Sequence, residues 1–155
     1  MSQPTSEFVQ FLIGAKRATY AAGAAPAGSS RPHSKDLSHR AGDYLYIDTY
    51  LGAVDFAGEE AVWHCGRPLW GMNYYGRMLV AAIPPDFSRC LKEALQQVPE
   101  AAPFRGPQYH ACGELEYHCR WEGELGFFSG RETICQNGAP IYELLFHGGW
   151  IHGGD

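Results

Sequence analysis

The chain has 155 residues, of which 45% are hydrophobic and 19% charged, and a formal net charge of −5; that is the size and composition of one globular domain. An acidic balance gives no electrostatic footing for direct nucleic-acid binding, whose usual mark is a clustered basic face. No apolar run reaches the ~18 residues that a bilayer crossing needs, and the opening MSQPTSEF has neither the charged nor the apolar region of a signal peptide, so a cytoplasmic protein without membrane contact is expected.

The first element in chain order is a helix. Phe8, Phe11, Leu12, Ala15 and Ala18 recur at helical spacing, with Thr5 as N-cap and an end near Gly23. Residues 23 to 42, GAAPAGSSRPHSKDLSHRAG, are dense in Gly, Ala, Pro and Ser and show no apolar period. An unstructured loop is expected there, and Arg31, His33, Lys35, His39 and Arg40 make it the most basic stretch. It reads either as a flap that meets an anionic ligand or as a solvated surface loop.

Strand signals follow. Tyr44 to Tyr50, Glu59 to Trp63 and Leu69 to Tyr75 are rich in aromatic and branched residues and predict three antiparallel strands. A two-residue turn at Cys65-Gly66 would pair His64 with Arg67, Val62 with Leu69, Glu60 with Gly71 and Gly58 with Asn73. One face would then carry Val62, Leu69, Glu60, Asn73 and Tyr75, and the other Ala61, Trp63, Trp70, Met72 and Tyr74. A second helix is expected from Asp86, with Phe87, Cys90, Leu91, Ala94, Leu95 and Val98 as its stripe and Pro99 beyond its end. After it, Arg105 in FRGP echoes Arg31 in SRPH. The last hairpin turns at Asn137-Gly138, the dipeptide best suited to a type I′ connection. Its simplest register pairs Ile134 with Ile141 and Glu132 with Glu143. Like charges side by side would need protonation or a cation between them.

The second half repeats the first. At an offset of 71, Tyr46 falls on Tyr117, Gly52 on Gly123 and Phe56 on Phe127; at 72, Gly58, Glu60, Gly66, Pro68 and Gly76 fall on Gly130, Glu132, Gly138, Pro140 and Gly148. Phe8, Leu12 and Ala15 likewise match Phe87, Leu91 and Ala94. The expected fold is therefore α+β: a pseudo-twofold duplication of an α-β-β-β unit, forming an antiparallel sheet with two helices packed on one face. It is read as a single domain over 1–155, with halves at about 5–80 and 84–152.

Trp63, Trp70, Met72, Tyr74, Tyr142, Leu144 and Phe146 form the heavier apolar stripe and are assigned to the helix-packed core. The other face would bring Glu60, Asn73 and Tyr75 together with Glu132, Glu143 and His147 between apolar walls, the usual make-up of a small-molecule pocket. Glu60 and Glu132 hold equivalent places. They read as paired acid and base groups or as partners of arginines such as Arg31 and Arg105 in structural ion pairs. Five cysteines, Cys65, Cys90, Cys112, Cys119 and Cys135, include no CxxC pair and suit reduced thiols. His64 and Cys65 are adjacent, as are His118 and Cys119. Strand neighbours point to opposite faces, so neither pair is read as clamping an ion, and no metal or cofactor is expected. Phosphate-loop, GxSxG, HExxH and dinucleotide fingerprints are all missing from the sequence.

The runs SSRPHSKDL, GDYLYIDTYLG, FAGEEAVW, PLWGMNYYGR, FRGP and FHGG resemble a bacterial and archaeal domain family catalogued as a domain of unknown function. The likeness covers nearly the whole chain. Members of that family occur alone or behind a repressor-type helix-turn-helix domain, so the resemblance implies a sensing or partner-binding module and names no catalytic residue. The 155 residues contain no helix-turn-helix pattern of their own. Three readings follow. The first is a small-molecule binding or sensor module, with a ligand between the halves held by Glu60, Asn73, Tyr75, Glu132, Glu143, His147, Arg31 and Arg105. The second is a hydrolase-type enzyme using Glu60, Glu132 and His147, and the third a homodimer that covers the second sheet face.

Overall fold

The computed structural model describes residues 6–26 and 28–154. The N-cap expected at Thr5 lies outside them. Helix α1 (Ser6–Ala18) forms where the i, i+3, i+4 apolar spacing places Phe8, Phe11, Leu12 and Ala15 on one buried face. A 3-10 turn, Tyr20–Ala22, continues it, and Gly23 ends it in the left-handed conformation with its N–H donated to the Tyr20 carbonyl. Helix α2 (Phe87–Gln96) buries Cys90, Ala94 and Leu95. Asp86 sits at its N-cap position without a side-chain cap bond and pairs with Arg89 instead, at 3.3 Å.

Eight antiparallel strands make one sheet: β1 (Lys35–Ala41), β2 (Tyr44–Gly52), β3 (Phe56–His64), β4 (Arg67–Met78), β5 (Tyr109–Cys112), β6 (Leu115–Glu124), β7 (Phe127–Gln136) and β8 (Ala139–Trp150). Their order, β1-β2-β3-β4-β8-β7-β6-β5, is that of two four-stranded meanders joined edge to edge at β4 and β8. The fold is α+β with an antiparallel sheet. Each meander has one strand more than the sequence suggested. Residues 35–41, expected to belong to an unstructured loop, pair along β2 from Lys35↔Tyr50 to Ala41↔Tyr44. Leu37 is buried there, an anchor that the basic and polar residues around it obscure.

The hairpin registers also differ from expectation. His64 pairs with Arg67 and Trp63 with Pro68, but Val62 then pairs with Trp70, so Leu69 is an extra residue. In the second meander Cys135 pairs with Pro140 and Ile134 with Tyr142, leaving Ile141 extra. Both turns have the expected positive φ, at Cys65-Gly66 and Asn137-Gly138, but a β-bulge follows each one. Proline offers no N–H to the ladder and sits at bulges for that reason; Pro68 and Pro140 stand beside these two. The bulged residues are not left unpaired, since Ile151 N donates to Leu69 O at 2.9 Å and Leu79 N to Ile141 O at 2.8 Å.

A slip of one residue turns every later side chain to the other face. Glu60 is thus opposite Met72, and Glu132 opposite Leu144. Both carboxylates lie on the face covered by the helices, where Phe8, Leu12, Cys90 and Ala94 join Val62, Trp70, Met72, Tyr142, Leu144 and Phe146 in one core. Trp63, assigned to that stripe, is only partly buried and lies outside the core. Glu143 is opposite Thr133, so the expected pair of glutamates does not form.

Candidate functional site

Beneath the helices the core is polar at its centre. Lys16 lies on the apolar face of α1, eight residues after Phe8 and four after Leu12, and is fully buried. Its ammonium donates to Glu60 Oε1 at 2.7 Å and to the Phe104 carbonyl at 2.8 Å, and the Tyr46 hydroxyl donates to the same Glu60 oxygen. Burial draws the Lys16 pKa down, and Glu60 opposes that.

A second ion pair lies beside the first. Arg105 grips Glu132 with two parallel bonds, Nε to Oε2 at 3.0 Å and Nη2 to Oε1 at 2.8 Å, the fork geometry that makes such pairs strong. Tyr117 donates to Glu132 Oε2 at 2.5 Å and accepts the Gly106 N–H at 2.8 Å, while Tyr142 donates to Oε1 at 2.8 Å. The Tyr20 ring is shared by both cations: its centroid is 5.8 Å from Lys16 Nζ and 5.3 Å from the Arg105 guanidinium carbon. Two buried oxygens in this region, Tyr20 OH and Glu60 Oε2, have no hydrogen-bond partner among the described residues.

Asp48 completes the cluster. It follows Tyr44 and Tyr46 on the inward-facing positions of β2, is 3% exposed, and accepts the Tyr74 hydroxyl at 2.6 Å. Burial and the nearby Glu60 push its carboxyl up to about 7. The native protein therefore keeps a proton that the unfolded chain has lost between about pH 4 and pH 7. Stability should fall as pH rises through that window, by at most ~1.4 kcal/mol per pH unit, and Asp48→Asn should remove this part of the slope. Urea midpoints of both proteins at about pH 5 and about pH 8 check this; identical slopes would rule out Asp48 as the source.

From this cluster a pocket of about 320 Å³ opens between α2 and the first meander. Tyr20, Asp48, Tyr50, Phe56, Tyr74 and Arg105 line its inner side, and Phe87, Ser88, Leu91, Lys92 and Leu95 of α2 line the outer one. Gly58 shapes the floor: a Cβ there would strike the Tyr74 ring and hydroxyl, so a glycine is what lets Tyr74 lie flat and reach Asp48.

The residues proposed from sequence divide between the two faces. Glu60, Glu132 and Arg105 belong to the buried cluster. Asn73, Tyr75, Glu143 and His147 are on the opposite face, where Asn73 pairs across the β4–β8 seam with His147 and Tyr75 with Leu145. Glu143 is held there by Arg77 at 2.6 Å and Arg131 at 3.1 Å. His147 borders a separate open depression of about 860 Å³ with His118, Arg120 and Arg131. Arg31 is exposed before β1 and forms no ion pair among the described residues, so it is not the partner of Glu60. Asp48, Lys16 and Tyr20 were not singled out from sequence, and Tyr74 was assigned there only to the helix-packed core, where it does lie. A lysine in the stripe of α1 and an aspartate in phase with Tyr44 and Tyr46 were the available signals.

His64 and Cys65 do not point to opposite faces as strand neighbours would. Cys65 is not on the strand; it sits in the turn at φ 51°, and its Sγ lies 3.9 Å from His64 Nε2. With Asp43, whose carbonyl accepts the Cys65 N–H at 3.0 Å, these exposed side chains place three donor atoms within 4.8 Å of one another.

Among the described residues no helix is long and apolar enough to cross a membrane. Residues 48–151 match the model of a domain family described as a domain of unknown function, DUF5680. No curated protein and no solved structure matches the chain.

Proposed function

For a chain that belongs to the DUF5680 family, whose description names no reaction, we propose a small-molecule binding or sensor module whose ligand enters between α2 and the first meander. One observation carries this: the 320 Å³ pocket ends on a buried polar cluster. Apolar walls with a few convergent polar groups are the common form of a ligand site, and 320 Å³ is within the usual size range. The larger depression behind His147 has only half-buried or exposed charged side chains in its lining, whereas the smaller pocket reaches the buried Asp48 and Arg105, and so it offers less desolvation.

The pocket takes its walls from both portions of the chain, with Tyr20, Asp48 and Tyr74 before residue 80 and α2 and Arg105 after it. We read these portions as copies of one ancestral unit. In support, Tyr46 donates to Glu60 as Tyr117 does to Glu132, and Tyr74 lies over Gly58 as Phe146 lies over Gly130. All five cysteines are free thiols, which supports a reducing, cytoplasmic setting.

Thermal-shift screening of a metabolite library tests the reading, run beside a Ser88→Trp variant that fills the pocket from its exposed rim. A compound that raises the Tm of the parent protein by several degrees and loses that effect in Ser88→Trp is expected. Equal stabilisation of both proteins would place binding elsewhere and defeat the reading.

An enzyme is the second reading, favoured by Asp48, whose carboxyl at about 7 suits general acid–base work at neutral pH. Glu60 and Glu132 are committed to buried ion pairs and His147 faces away from them, so chemistry in this site would centre on Asp48. Turnover of a stabilising compound, lost in Asp48→Asn, would establish it.

A further inference from the structure

The charges buried beneath the helices do not balance. Among the described residues two buried cations, Lys16 and Arg105, face three buried carboxylates, Asp48, Glu60 and Glu132. Both cations are committed: Lys16 to Glu60 at 2.7 Å and Arg105 to Glu132 at 2.8 Å. Asp48 is left with a tyrosine hydroxyl and no ion-pair partner among the described residues. A buried carboxylate without a counter-charge is costly and retains a proton instead.

The surroundings of Asp48 suit a counter-charge supplied from outside. Tyr20, Tyr50, Phe56, Tyr74 and Phe87 line the same pocket, and a ring of aromatic faces around an anion is how proteins hold organic ammonium groups. Tyr20 and Tyr74 already lie against a cation, the Arg105 guanidinium, at 5.3 and 5.8 Å. Tyr20 OH, buried and without a hydrogen-bond partner among the described residues, adds an oxygen that can accept a hydrogen bond. Lys92 is exposed at the rim, outside the aromatic wall.

Building on the pocket reading above, we infer that its ligand is a small organic cation, an amine on an apolar or aromatic body, whose ammonium ion-pairs with Asp48 among the rings of Tyr20, Tyr50 and Tyr74. The titratable groups that face Asp48 are Tyr46 and Tyr50 on its own strand, Glu60 from β3, Tyr74 from β4, Lys16 from α1, Tyr20 from the 3-10 turn after it and Arg105 from the loop after α2. An arriving ammonium adds the missing positive charge to this set, so the Asp48 proton leaves as the ligand binds. Near neutral pH, about half a proton should be released per site.

Three probes of one skeleton test this by calorimetry: 2-phenylethylamine, 2-phenylethanol and 3-phenylpropionate. The amine is expected to bind most tightly. Its binding enthalpy should differ between phosphate and Tris buffers in proportion to their ionisation heats, a readout that needs no variant. Asp48→Asn, which keeps an acceptor for Tyr74, should weaken the amine about tenfold or more and abolish the buffer dependence. Tighter binding of the propionate, lost in Lys92→Ala, would overturn the inference and leave a pocket for anions. Equal binding of all three would overturn it and leave an apolar pocket. Absence of binding by all three at millimolar concentration would overturn it too, while the broader reading would still be decided by the metabolite screen and the Ser88→Trp variant.

Discussion

Arg105→Met is expected to lower stability by about 3–5 kcal/mol, because it strands the Glu132 carboxylate in a site that is 0% exposed. Typical domains have only about 5–15 kcal/mol in all, so most of the protein's margin is at stake. The cause is asymmetric: the pair itself adds little over a well-packed apolar pair, but half of it is much worse than either. Arg105→Met combined with Glu132→Gln should therefore recover a good part of the loss, since glutamine removes the charge and keeps an oxygen for the hydroxyls of Tyr117 and Tyr142. Equilibrium urea unfolding of the single and double variants makes the comparison. A single variant within 1 kcal/mol of the parent would mean that water reaches Glu132 and that the cluster is not dry.

Gly148→Ala should be at least as damaging. Gly148 faces Met72 on β4 and Phe128 on β7, and a Cβ at this position would lie inside contact distance of the Gly71 carbonyl, 2.8 Å from Met72 Cα and 2.8 Å from the Phe128 ring. Two of these atoms are backbone in the strand that joins the meanders, so relief requires β4 and β8 to part. Overpacking alone costs about 1–3 kcal/mol, and loss of pairing at the seam adds to it; little folded protein is expected. Gly14→Ala is the control. Nothing lies within 4 Å of a Cβ there, the site is exposed in α1, and alanine should stabilise by up to ~1 kcal/mol. Thermal melts of the two variants should move in opposite directions, and a Gly148→Ala protein that melts like the parent would contradict the described β4–β8 contact.

Much of the architecture was legible because it rests on period and punctuation. The apolar stripes of both helices, the turns at Cys65-Gly66 and Asn137-Gly138, and the antiparallel strands between them all follow from local residue choice. Register was not legible from the turns alone. The usual rule pairs residues outward from a two-residue turn without interruption, and it fails once a bulge inserts Leu69 or Ile141. Pro68 and Pro140 were the warning, since a residue without an N–H two places after a turn calls for an irregular ladder. That one-residue error carried Glu60 and Glu132 to the wrong face and set Glu132 beside Glu143. Arg105 as a carboxylate partner survived the error because charge complementarity does not depend on register, whereas Lys16 was passed over because nothing local shows what α1 rests on. β1 was missed because Leu37 is its only buried apolar side chain, too little to outweigh the polar residues around it.

The bond from Lys16 to the Phe104 carbonyl spans 88 positions of sequence, and Arg17 and Gln96 exchange two more, each side chain donating to the other's main-chain oxygen. Neither portion can therefore complete its interior alone. A chain cut in the exposed stretch 79–83 would yield two pieces that are each incompetent and mutually dependent, a natural split pair whose reassembly could be followed as association between separate molecules.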